Sequence, residues 1–170
     1  MEEQTDLLGI PVPSTDPVFI AFVIVHIAIS LVAVISGLLA MVAEKTSVRH
    51  KKKGSVYFWS ISFSFVTVVI LSSMRWPQNV HLFVIGVLTF CLTFTGRTLA
   101  KRRPIGWTRI HTMCMGASYI LLLTGFYVDN GKNLPFWKVF PDWFFYLFPA
   151  AVGIPIILWV LRKHPLNRRN

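Results

Sequence analysis

Histidines are the side chains of this sequence best suited to chemistry inside an apolar medium, and four of its five fall in a regular pattern. His26 lies in the first long apolar run, His50 just precedes the second, His81 opens the third, and His111 is one turn into the fourth. Counted back from Ala43 and Leu99, His26 and His81 are 17 and 18 residues away. On a helix that is about 26 Å, so both belong at one depth near the outer surface, while His50 and His111 share the inner one. Imidazoles facing each other across a four-helix bundle can hold b-type haem through their Nε2 atoms. We therefore read His26 with His81 as an outer ligand pair and His50 with His111 as an inner one. Two haem b groups held this way would carry electrons through a bilayer.

Haem also needs room on the facing helices. On ideal helices Gly37 lies about 20° from His26, and Gly125 about 40° from His111. Each small residue is then expected on the ligand-bearing face, at the depth of the other pair. Gly54, Tyr57 and Ser64 lie within about 40° of the His50 face, and Thr95 is in line with His81. Arg97, Arg103 and Arg109 are candidates to neutralise propionates at the inner site, Arg75 and Lys132 at the outer one. Plainer readings stand beside these. A lone intramembrane histidine is often an interhelix hydrogen-bonding contact, and Gly37, Gly96 and Gly125 are equally explained by close packing. The basic side chains are explained by charge bias alone. His50 can act as a ligand only if the second helix starts about a turn and a half before its apolar run, because three lysines intervene.

The elements that must carry these residues are five apolar runs: Pro17 to Ala43, Ser55 to Ser73, Val80 to Ala100, Ile110 to Val128 and Trp143 to Leu161. Each is near the ~20 residues that cross a bilayer core. Of 170 residues 54% are apolar and 14% charged, with a mean hydropathy of +0.60; soluble domains carry about a quarter charged residues. The expected fold is an all-α integral membrane protein of five transmembrane helices, a four-helix core with a peripheral fifth. Residues 1–16 form an outer arm, 17–161 a single membrane domain and 162–170 a basic tail. The acidic arm has no basic region ahead of an apolar core, so the first run reads as a retained helix and not a cleaved signal. Cys91 and Cys114 read as buried thiols.

Charge sets the orientation. The breaks after runs one and three, the tail and Arg97 hold 14 of the 17 Lys and Arg residues but one acid, Glu44. The other side holds the remaining three bases and six acids. By the positive-inside rule the N-terminus is outside and the C-terminus in the cytoplasm of a bacterial inner membrane. The net charge of +10 therefore reads as topology and lipid headgroup contact, not nucleic-acid binding. No Asp, Glu, Lys or Arg lies mid-span, which argues against an ion-coupled transporter. Phosphate-binding loops, GxSxG and HExxH are absent from the sequence, so hydrolases of those types are excluded.

The stretches HIAISLVAVISGLLAMVAEKTSVRHKKKGSVYF, HLFVIGVLTFCLTFTGR and RIHTMCMGASY resemble a family of small bacterial membrane proteins of unknown function. His26, Gly37, His50, Gly54, His111 and Met115 match its motif positions, over most of residues 20 to 130. That resemblance implies no activity. A looser one, resting on the alternating histidines, is to di-haem transmembrane b-type cytochromes. It implies electron transfer from a quinone or small reductant to ferric iron, a dioxygen species or a partner protein. Two other functions are compatible with the same residues. One is a non-haem metal or small-molecule site on His26 and His81 with Asp129 as third ligand. The other is an accessory subunit, in a homo-oligomer or with a partner, whose histidines only pack.

Overall fold

The computed structural model describes residues 5–7, 10–12 and 16–163. Two three-residue strands, Thr5–Leu7 and Ile10–Val12, pair antiparallel in the arm. Five helices follow: α1 Pro17–Val42, α2 Val48–Met74, α3 Val80–Arg102, α4 Trp107–Asn130 and α5 Asp142–Lys163. All five are long and apolar enough to cross a membrane.

Local chemistry sets their ends. Asp16 caps α1 by accepting the Val18 amide at 2.9 Å, ahead of a proline in the first turn, an exchange worth about 1 kcal/mol. Ser47 caps α2 by accepting the His50 amide at 3.2 Å. The second helix thus starts seven residues before the Ser55 expected from hydropathy. A serine cap with helix-forming lysines behind it extends the helix beyond its apolar stretch, and Lys51, Lys52 and Lys53 are solvated on it. This satisfies the condition set above for His50. Between α3 and α4 the chain turns through Arg103 (φ 51°) and Gly106 (φ 75°), both left-handed, with Pro104 blocking continuation. A 3-10 turn, Gly131–Asn133, ends α4.

Helices α1 to α4 pack in chain order as antiparallel neighbours, and α1 meets α4. Tyr119 of α4 donates to the Val34 carbonyl of α1 at 3.1 Å. Helix α5 packs on α4 alone among its strong contacts. Ile157 covers Gly116 and Ile120 covers Gly153, a reciprocal fit of side chains into glycine gaps. The fifth helix is therefore peripheral, as expected from its lack of ionisable residues.

The interior mixes apolar and aromatic side chains, among them Ala33, Tyr57 and Ile61, with many hydroxyls. Ser36, Ser60, Ser64, Thr67, Thr89, Thr93, Ser118 and Thr124 are buried, while most large apolar side chains face outward. Several of these hydroxyls donate to the carbonyl three or four residues back, as Thr93 does to Thr89 and Thr124 to Ile120. This satisfies each proton locally and lets helices approach closely in lipid. Cys91 and Thr95 differ from expectation: both are on the outside of α3. Each is two residues from a buried threonine, Thr89 or Thr93, and two residues turn a helix by about 200°. Cys114 is half-buried.

Candidate functional site

The inner end of the bundle is built from the C-terminus of α1, the first turn of α2, the end of α3 and the start of α4. The last carbonyls of α1 have no intrahelical donors, and nearby groups take them up. The Ala43 amide donates to Leu39, the His50 Nδ1–H to the Ala40 carbonyl at 2.9 Å, and the Lys45 ammonium to Met41. On the opposite side the His111 Nδ1–H donates to the Gly96 carbonyl of α3 at 2.8 Å. That contact depends on close helix approach: a Cβ on Gly96 would lie 2.8 Å from Met115 Sδ and 3.2 Å from Cys114 Cβ.

A carbonyl only accepts, so in both neutral rings Nδ1 carries the hydrogen and Nε2 carries a free lone pair. Neither Nε2 has a hydrogen-bond partner among the described residues. The two ring centroids are 6.4 Å apart with planes at 77°. Two metal–nitrogen bonds of roughly 2 Å and two ring half-widths of roughly 1 Å would separate the centroids of bis-imidazole ligands by about 6 Å. The observed separation of 6.4 Å is of that order. Tethering the second nitrogen to a carbonyl is also what orients imidazoles as metal ligands. Gly54, one turn along α2 from His50, has open space where a Cβ would be.

Around the pair the charge is positive. Lys45 is half-buried between α1 and α2, and burial pushes its ammonium below the usual lysine range. Arg97 donates to Ser55 at 3.3 Å and lies 4.3 Å over the Phe58 ring. Arg103 lies 5.8 Å over Trp107, and Arg109 is exposed.

The outer pair is organised differently. His26 Nδ1 is 2.7 Å from Thr67 Oγ1. Thr67 gives its own hydrogen to the Ser64 carbonyl at 2.8 Å, so its oxygen must accept from His26. The lone pair is again on Nε2, where the Ser30 hydroxyl lies 3.4 Å away. Ser30 and Ser64 are 3.0 Å apart. His81 has Asp129 of α4 within electrostatic range. The two outer histidines therefore have separate partners, one on α2 and one on α4. Among the described residues no three His, Cys, Asp or Glu side chains gather as a metal site. Arg75 lies 5.9 Å from the Phe19 ring centroid, and Lys132 pairs with Asp142 at 2.6 Å.

The expected haem gap at Gly37 is filled. A Cβ there would sit 2.8 Å from the Tyr119 ring and 2.9 Å from Tyr57, so that glycine admits aromatic side chains. Tyr57 is buried and bonded to Ser118 at 2.9 Å. Gly125 has more room, with Ile85 the nearest atom at 3.6 Å. Three participants escaped the sequence reading: Gly96 as the carbonyl acceptor for His111, Thr67 as the partner of His26, and Lys45. The recurrence of Ser60, Ser64 and Thr67 along α2 was a usable signal of a polar stripe. Nothing in the local sequence pointed to the other two. Comparison of the chain with protein-family models, with curated protein sequences and with solved structures finds no match.

Proposed function

We propose that this protein is a transmembrane b-type cytochrome, in which His50 and His111 would hold the iron of a haem near the inner surface. The observation that carries the reading is the pair of imidazoles 6.4 Å apart, each with Nδ1–H committed to a carbonyl and Nε2 left with a lone pair. Such tethers fix the tautomer and the ring direction before any ligand arrives. A bound haem would supply one-electron chemistry; the chain's part is to hold the iron, exclude water and tune the potential by charge and burial. Gly54 leaves space beside the first ligand, and Gly96 brings the second into place.

In the fuller reading His26 and His81 hold a second haem at the outer end, and electrons pass from a quinone or small reductant on one side to an acceptor on the other. Orientation follows the charge asymmetry, with the N-terminus outside and a bacterial inner membrane as the location. A packing role is the stronger rival for His26 than for the inner pair, because hydroxyls of Ser30, Ser64 and Thr67 already surround it.

The experiment is an absorbance spectrum of the full chain purified after expression with ample haem. A Soret band is expected, with bis-imidazole features on reduction, and H50A and H111A each remove the inner-site component. Folded, monodisperse wild-type protein with no Soret band would end the proposal. Retention of the full band in both variants would move the haem elsewhere.

A further inference from the structure

Ligation of an iron by His50 and His111 leaves one inner-end feature unused: a cation partly withdrawn from water within electrostatic range of both rings. Lys45 lies in the turn between α1 and α2, half-buried, with its ammonium on the Met41 carbonyl. It is within electrostatic range of His50 and of His111. No carboxylate partners it among the described residues. The neighbouring Glu44 is exposed, and its carboxylate accepts from Thr46 at 3.4 Å.

Arg49, Lys51, Lys52, Lys53, Lys101 and Arg102 at this end are exposed to solvent, unlike half-buried Lys45. Arg97 is held by Ser55 and Phe58, Arg103 stacks near Trp107, and Arg109 is exposed. The positive N-terminal ends of α2 and α4 at this level are offset by the negative C-terminal ends of α1 and α3, so the side-chain cations decide the local charge. A partly desolvated ammonium whose bond is to a neutral carbonyl gains by exchanging it for an anion. The four-carbon lysine stem permits that swing without moving the backbone.

We propose that Lys45 is the counter-charge for a carboxylate group of the cofactor held between His50 and His111. The inference rests on the b-haem reading and assigns to Lys45 the role sequence patterning gave to Arg97, Arg103 and Arg109. Lys45 is a positioning residue: it selects a cofactor bearing a carboxylate at the inner edge and raises the iron's potential by offsetting that negative charge.

The test compares protohaem with protohaem dimethyl ester, in which the carboxylates are neutral. Full-length wild type, K45Q, K45M and K45R, purified from haem-limited cells, are titrated with each porphyrin. K45Q retains a donor for the Met41 carbonyl, which protects the turn if K45M fails to fold. Wild type and K45R should favour protohaem over the ester by about fivefold or more, the scale of one charge-assisted contact. In K45Q and K45M that preference should collapse toward unity, and the midpoint potential with protohaem should fall. A preference ratio and potential unmoved in K45Q overturn the role of Lys45. If the wild-type band depends on His50 and His111 while the ratio is unmoved, Lys45 alone is wrong. If wild type takes up neither porphyrin, the b-haem reading fails and takes this inference with it.

Discussion

At the residue scale, each of the three well-bonded histidines divides its ring nitrogens in the same way. His26, His50 and His111 all give Nδ1–H to an oxygen that is obliged to accept it, which leaves Nε2 basic. The glycines, by contrast, do unlike things. Gly96 lacks the space for a methyl, whereas Gly54 has nothing within 4 Å. Gly96→Ala should push α4 from α3 and cost about 1–3 kcal/mol, after any gain in helix propensity. Gly54→Ala should be neutral or stabilising by up to about 1 kcal/mol. Thermal unfolding in detergent, followed by tryptophan fluorescence, separates the two; equal melting temperatures would contradict the packing described here. The sequence marked Gly96 as small but not as the residue whose carbonyl receives His111, because that contact lies 15 positions away and depends on how α3 and α4 cross.

At the element scale, the site belongs to α1–α4, and α5 is an addition. Gly116 and Gly153 seat Ile157 and Ile120 on the far side of α4 from the α3 contact. Gly153→Leu should therefore prise α5 from α4 without disturbing the inner pair. The expected outcome is faster protease cleavage near the 131–141 loop with an unchanged inner-site Soret band. A band lost together with α5 packing would make the fifth helix part of the site. Hydropathy found every helix, but it set the start of α2 too late. An apolar scale registers lipid contact, whereas the true boundary comes from the Ser47 side chain accepting an amide. Those seven residues matter because they carry His50.

At the scale of the whole molecule, the protein is apolar outside and rich in hydroxyls inside, and most of its basic residues collect at one end. The orientation drawn from that asymmetry has a direct check. With Cys91 and Cys114 replaced by serine, single cysteines at exposed Lys52 and exposed Lys138 are labelled in intact cells with a membrane-impermeant maleimide. Position 138 should react at once and position 52 only after the cells are broken; the reverse order would invert the topology. The outer loop carrying Lys138 is held by the Lys132–Asp142 pair and by Trp137, which packs with Tyr127, Phe144 and Phe148.

Sequence alone determined the number of helices, their approximate extents, the peripheral place of α5 and the alternation of charge. These follow from the length of apolar runs and from where Lys and Arg are tolerated, both of which are local properties of the chain. The common level of His50 and His111 was legible too, since rise per residue is constant along a helix. Which nitrogen each ring offers, that His50 meets His111 while His26 turns to Thr67, and that Lys45 stands beside the inner pair were settled only by tertiary structure. Those facts depend on helix rotation and crossing, which are set by contacts between residues 10 to 85 positions apart, and no pattern of neighbours in the chain encodes them.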